Sequence, residues 1–203
     1  MKSFKNFLIE NDLGSLTIFD IDETLFYTTA EVKVIKNGKE IKSLSNQEFN
    51  SYKLKDGETF DFVEFSNAEK FNKESKPVRK MLAKAKAIIK NSVKNKKSKI
   101  IIITARKDFD DKEMFLNTFN KFGFDMSKIY VERAGNMNNK IPTAEKKTKI
   151  ISKYLDTENF GKVRFFDDSL DNVKGFNKLK TKYPEIIFSG YLVNHDGSTK
   201  TIK

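Results

Sequence analysis

Two short acidic segments carry most of the chemistry legible in this sequence. In FDIDETL, residues 19–25, Asp20 and Asp22 follow an apolar, β-prone run at residues 15–19. In FFDDS, residues 165–169, the adjacent pair Asp167 and Asp168 follows a second such run. If both runs are neighbouring buried strands, four carboxylates converge at one end of a sheet. Like charges at that density repel each other unless a cation sits among them. An all-oxygen donor set suits a hard cation, Mg²⁺ before Mn²⁺ or Ca²⁺, and does not suit Zn²⁺. The competing reading is that the acids and Ser169 cap the helices that follow. Capping explains one strand end well and two in the same chain poorly.

The elements that must position these groups follow from periodicity. Residues 78–93 repeat apolar side chains at helical spacing (Met81, Leu82, Ala85, Ile88, Ile89, Val93), with Pro77 placed as the first helical residue. Four consecutive isoleucines, 100–103, read as a strand buried on both faces and lead into Thr104. Helices are expected at 112–122, 144–155 and 171–183, and strands at 128–131, 163–166 and 186–193. This alternation predicts an α/β fold: a Rossmann-like, doubly wound parallel sheet with its functional loops at the carboxyl ends of the strands. Asp20, Asp22, Thr104, Asp167 and Asp168 all fall at such ends. Residues 27–75 interrupt the alternation and are too long for a plain strand-to-helix loop. They hold a hairpin signal, EVKVIKNGKEIKSL, with Asn37-Gly38 as the turn. Residues 1–203 are therefore expected to form a single domain, with 27–75 as a small β-containing cap lobe.

Composition removes several function classes. The 203 residues include no Cys and one His, His195. Thiolate metal sites, disulfides and multi-histidine metal sites are excluded, and a Ser-His-Asp triad has no suitable histidine. No P-loop or GxGxxG pattern is present. The apolar stretches are too short for a membrane span, and residues 1–14 are too short in apolar character for a secretory signal, so a soluble, cytoplasmic-type protein is expected. The formal charge of +11 comes from 39 basic and 28 acidic residues. It reads either as attraction to phosphorylated or polyanionic partners or as a lysine-rich solvated surface, with the densest run at residues 94–99.

DIDET after an apolar strand resembles the first motif, DxDx[TV], of the haloacid dehalogenase (HAD) superfamily of phosphotransferases. IIIITAR supplies a second-motif Thr104, TAEKKTKII supplies a third-motif lysine, and FFDDSLDN supplies a fourth-motif acidic pair. The four segments stand in the family's order and cover most of the chain. The whole chain also resembles uncharacterised HAD-type hydrolases of large tailed phages, which would place it in the cytoplasm of a host cell. The resemblance implies Asp20 as the nucleophile that takes the phosphoryl group and Asp22 as the general acid and base. It implies Thr104 as the hydroxyl that holds the phosphoryl oxygens. It implies Mg²⁺ held by Asp20, Asp168 and the backbone carbonyl of Asp22, with Asp167 either a further ligand or a partner that supports the ligands. The lysine is Lys147 or Lys146. Ile150 and Ile151 lie three and four positions after Lys147, which suits that choice better.

Arg106 stands two residues after Thr104, either as a clamp on substrate phosphate or in a salt bridge with Asp108, Asp110 or Asp111. Glu23 reads as exposed and non-catalytic. Ser169 either bonds a metal-bound carboxylate or caps a helix, and Asp171 is a first-turn helix acid. Tyr27, Phe60, Phe62 and Phe65 read as lobe core or as stacking surfaces. His195 reads as part of a turn. Residues 135–142 read as a loop bordering the site. The expected function is a Mg²⁺-dependent phosphomonoester hydrolase working through an aspartyl-phosphate, on a nucleotide or a nucleic-acid terminal phosphate. A sugar-phosphate phosphatase, a non-catalytic phospho-receiver and a nucleic-acid-binding module are the alternatives. Neither a membrane partner nor an oligomeric state is indicated.

Overall fold

The computed structural model describes residues 13–92, 95–138 and 140–203. The expectations for residues 1–12, Val93, Lys94 and Asn139 lie outside the described residues. Strands β1 (Gly14–Phe19), β7 (Lys99–Thr104), β8 (Ile129–Arg133), β9 (Phe160–Asp167), β10 (Ile187–Val193) and β11 (Thr199–Ile202) form one sheet, in the order β11-β10-β9-β1-β7-β8. All neighbouring pairs are parallel except β10 with β11. The chain steps outward from β1 to β7 and β8. It then returns to the other side of β1 for β9 and β10. The order therefore reverses between β1 and β9, and such a reversal opens a crevice at the carboxyl ends of those two strands.

Alternation along the strands sends side chains to two cores. Phe19, Ile100, Ile102 and Phe166 meet α2 (Ala68–Glu74), α3 (Arg79–Ser92) and α4 (Lys112–Lys121) through Phe71, Met81, Leu82, Ala85, Phe115 and Phe119. Leu16, Ile18, Ile101, Ile103, Val163 and Phe165 meet α5 (Thr143–Thr157) and α6 (Leu170–Lys178) through Ile151, Leu155 and Phe176. The protein is thus an α/β fold whose mostly parallel sheet is covered by helices on both faces, a Rossmann-like arrangement. No helix among the described residues is long and apolar enough to cross a membrane.

A two-residue pair, β2 (Phe26–Tyr27) with β6 (Lys76–Pro77), closes a neck: Phe26 faces Pro77 and Tyr27 faces Lys76. Beyond it, β3 (Val32–Lys36), β4 (Lys39–Leu44) and β5 (Glu58–Asp61) form a separate antiparallel sheet in the order β4-β3-β5. Asn37 (φ 52°) and Gly38 (φ 73°) make the tight turn between β3 and β4. Two successive residues with positive φ are what a two-residue hairpin needs to match strand twist. Helix α1 (Asn46–Ser51) starts with a reciprocal capping box between Ser45 and Glu48. Val32, Val34 and Leu44 make a small core, with Phe49, Tyr52, Phe60 and Phe65 against it. Phe60 and Phe65 are therefore lobe packing, while Phe62 is 43% exposed.

Several elements differ from expectation. The lobe's own sheet is confined to residues 32–61. Helix α2, within the same inserted segment, belongs to the main core, where Phe71 packs on Phe26, Phe109 and Phe115 at 5.4–5.7 Å. Pro77 is not helical: it pairs with Phe26, and α3 begins at Arg79. Strand β11 was not expected. Its polar sequence TKTI pairs only at the sheet edge, and just one of its four residues is apolar. His195 lies in the turn that joins it to β10.

Gly135 joins the loops that follow β7 and β8. A Cβ there would stand 2.4 Å from the Ala105 carbonyl oxygen and 2.5 Å from that of Arg106. Backbone atoms cannot yield as a flexible side chain does. Gly135→Ala is expected to cost about 1–3 kcal/mol in urea unfolding. A variant as stable as the parent would contradict this close approach.

Candidate active site

Asp20 is the first residue beyond β1, and its backbone N–H donates to the Phe166 carbonyl at 3.0 Å. That bond extends the β1–β9 pairing by one step and draws the two acidic strand ends together. Asp20, Asp167 and Asp168 consequently offer carboxylate oxygens within 4.8 Å of one another. Asp20 and Asp167 are buried, and Asp168 opens to solvent. The cluster lies where the strand order reverses.

Lys147, on the first turns of α5, is 2% exposed and points under this cluster. Its Nζ lies 2.5 Å from Asp20 Oδ1 and 2.7 Å from Asp167 Oδ2. Burial alone would drive the ammonium toward neutrality. The Asp167 and Asp20 charges outweigh it, hold the pKa above the ordinary lysine value, and keep Lys147 charged. Lys146, the other candidate, is buried beside it and makes neither ion pair.

The other Asp167 oxygen, Oδ1, accepts from the Ser169 N–H and from Asn172 Nδ2, both at 2.9 Å. Ser169 itself is the N-cap of α6, its Oγ accepting from the Asn172 N–H, and Asp171 lies in that helix's first turn. The capping reading therefore holds for Ser169. Asp167 combines local bonding on one oxygen with the cluster on the other. Thr24, the last residue of DIDET, directs its hydroxyl to Asp168 Oδ1 at 3.5 Å.

Asp22 turns away from this cluster. Its side-chain oxygens accept from Arg106 Nε at 2.9 Å, Arg106 NH2 at 2.6 Å and the Thr28 hydroxyl at 2.8 Å. The Asp22 side chain is thus not part of the carboxylate cluster. Burial would raise its pKa, but the Arg106 charge and hydrogen bonds prevail and hold it below the ordinary carboxylate range. Arg106 is 3% exposed, so it does not stand open at the mouth as a phosphate clamp. Nor does it pair with the nearby acids. Asp108 meets Arg133 and Asn136, Asp110 accepts from the Ala68 N–H, and Asp111 caps α4. Thr104 ends β7 fully buried, and its Oγ1 accepts the Arg106 N–H at 3.1 Å.

Glu23 is not exposed as expected. It adopts φ 55° in the tight turn after Asp22, is half-buried, and brings Oε2 to 3.7 Å from His195 Nδ1. In the loop after β8, Asn136 exchanges hydrogen bonds with Asp108. The loop thereby braces the one that follows β7. Sequence reasoning gave no role to Thr24, Thr28 or Asn172. The first sits inside a recognised motif, whereas the other two bond carboxylates six and five residues away without a linear pattern that marks them.

The cluster fits a hard cation. Three carboxylates meet within 4.8 Å, two of them paired with the Lys147 ammonium, with no soft donor among them. Asp20 is raised well above the ordinary carboxylate value by burial, against the pull of Lys147 and with Asp167 and Asp168 adding to the rise. Desolvation of its carboxyl, followed by the Asp167 charge, pushes Asp168 up to about 7. A bound cation must displace these protons. A hard divalent cation held there should therefore raise the unfolding temperature strongly at about pH 8 and weakly at about pH 5.5, with Mg²⁺ as the ion to try. In the metal-free protein the sign is opposite. Between the ordinary 3.8 and about 7 the native Asp168 retains a proton that the unfolded chain has lost. Its contribution to stability therefore falls as pH rises through that window. Thermal unfolding with Mg²⁺ and with chelator at the two pH values checks both signs. An Mg²⁺ shift independent of pH would contradict them.

Comparison with family models, with curated proteins and with solved structures finds no match. The fold and site by themselves define an α/β protein with a mostly parallel central sheet. Its acidic triad, the buried Asp20 and Asp167 with the solvent-facing Asp168, is able to hold a metal ion at the sheet's reversal point.

Proposed function

We propose that this protein is a Mg²⁺-dependent phosphomonoester hydrolase of the HAD type, working through an aspartyl-phosphate on Asp20. The observation that carries the reading is the joint placement of Asp20, Asp167 and Asp168 within 4.8 Å at the β1–β9 crevice, with Lys147 against two of them. A metal-binding acidic cluster that also contains a motif-placed nucleophile suits phosphoryl transfer better than structure alone.

In this reading an Asp20 oxygen attacks phosphorus, and the bond to the leaving oxygen breaks. Asp22 supplies the proton that the leaving oxygen needs. It then takes a proton from the water that attacks phosphorus and frees Asp20. The Arg106 pair holds Asp22 ionised, which suits the second role. The first role requires the carboxyl to take up a proton from solvent before the leaving oxygen departs. Lys147 offsets the charge of the nucleophile, and Thr104 lies at the strand end where phosphoryl oxygens would be held. Mg²⁺, held by Asp20, Asp167 and Asp168, would neutralise repulsion between an anionic nucleophile and an anionic substrate.

The excess of basic residues favours a nucleotide or a nucleic-acid terminal phosphate over a sugar phosphate. The test is phosphate release from nucleoside monophosphates, 3′- and 5′-phosphorylated oligonucleotides and sugar phosphates, with and without Mg²⁺. Mg²⁺-dependent turnover on the first two groups is the expected result. No turnover on any monoester, together with salt-sensitive oligonucleotide binding, would replace this reading with a binding module.

A further inference from the structure

We propose that Arg106 is a positioning residue that ties the seating of the inserted lobe to the orientation of the Asp22 carboxylate. The proposal rests on the reading of Asp22 as the proton-transfer group. Its observations are geometric. One edge of the guanidinium, Nε and NH2, grips Asp22 at 2.9 and 2.6 Å. The remaining nitrogen, NH1, donates to the Phe65 carbonyl at 2.9 Å. Phe65 lies in the 3₁₀ turn Val63–Ser66, where the chain returns from the lobe.

The plane is fixed on its other sides as well. Its centre lies 4.8 Å from the Phe65 ring, 5.1 Å from Phe71 and 5.4 Å from Phe109. The backbone N–H of Arg106 is held by Thr104 Oγ1. A guanidinium is rigid and planar, so its three bonding directions cannot adjust independently. A shift of the Phe65 carbonyl must either break its bond or rotate the plane that orients Asp22.

The outgoing end of the lobe converges on the same carboxylate. Thr28, one residue past β2, donates its hydroxyl to Asp22 at 2.8 Å. The outgoing and returning ends of the lobe thus hold Asp22 from two sides, one directly and one through Arg106. A lobe seated on the core sets the carboxylate, and a displaced lobe releases it. A substrate whose bulk displaces the lobe would be bound and turned over poorly.

The experiment compares wild type with Arg106→Lys, which keeps the charge and loses the fork, and with Arg106→Ala. Two readouts are taken: steady-state phosphatase kinetics on an alkyl phosphate with Mg²⁺, and amide hydrogen exchange without substrate. Both variants should lower kcat by about a hundredfold with far less change in KM, the scale of a misplaced catalytic group. Millimolar guanidinium should restore part of the Arg106→Ala rate. Exchange should quicken in residues 21–28 and 62–67 together. The lobe sheet at residues 32–44 should keep its protection.

A raised KM with kcat preserved would overturn the proposal in favour of a direct substrate clamp. Faster exchange in only one of the two segments, or in neither, would overturn it as well. If wild type shows no phosphatase turnover, the proposed function fails, while the exchange data still decide whether the two segments are linked.

Discussion

Asp20→Asn is expected to abolish Mg²⁺-dependent phosphate release, by roughly 10⁴-fold or more, because the variant loses the group that attacks phosphorus. Its effect on stability should run the other way. Asp20 is buried 5% exposed beside two further aspartates, and its ionised form is disfavoured in the fold. Asparagine removes that charge and leaves Lys147 paired with Asp167. Near neutral pH, without metal, the variant should unfold at the same temperature as the parent or higher. Lost activity with undiminished stability distinguishes a residue kept for chemistry from one kept for folding. Residual activity above about one hundredth of wild type would remove Asp20 from the nucleophile's role.

Lys147→Met should produce the largest loss of stability. The ammonium is the shared partner of Asp20 and Asp167, both nearly inaccessible to water. Removing one member of a buried ionic set strands the others, at a cost of about 3–5 kcal/mol. Because the native lysine titrates above its ordinary value, its own deprotonation does not weaken the pairing anywhere below that ordinary value. The pairing therefore persists throughout the neutral range. The loss should shrink in acid, where the stranded carboxylates take up protons. It should also shrink in Lys147→Met/Asp20→Asn, which removes one stranded charge. Urea unfolding of the two single variants and the double variant measures this directly. A single-variant loss under about 1 kcal/mol, or strict additivity in the double variant, would contradict the buried triad of charges.

The parts of this site legible in the sequence are those where burial and chemistry coincide in one short segment. Strands β1 and β7 are buried on both faces along nearly all of their length, and β9 over its last three residues, so each ends as an apolar run and the polar residue that closes it stands out. The hairpin at Asn37-Gly38 was legible because only a few residue pairs tolerate two positive φ values in succession. The contact of Lys147 with the cluster follows from helical spacing. The side chains one turn further on, Ile150 and Ile151, pack on the sheet, which aims Lys147 toward it.

The rest depends on contacts between distant segments. Arg106 and Asp22 are 84 residues apart, and the local acids Asp108, Asp110 and Asp111 offered a nearer partner that the fold does not use. The boundary of the lobe was hidden for a similar reason. Helix α2 lies within the inserted segment, yet the rings that receive Phe71 come from β2, α4 and the loop before α4. Strand β11 carries too few apolar residues to be distinguished from a polar terminus.

The most direct test of the account is to look for the phosphoryl group on Asp20. The Asp22→Asn variant lacks the base that completes turnover. A phosphomonoester with a good leaving group needs little help from an acid in the first step. The variant should be mixed with p-nitrophenyl phosphate and Mg²⁺, quenched, reduced with borohydride and analysed by peptide mass spectrometry. The account predicts a burst of one nitrophenolate per chain and reduction of Asp20 to homoserine in the FDIDETL segment, both absent with chelator. Wild-type phosphatase activity with Asp20 unmodified in the variant would contradict it.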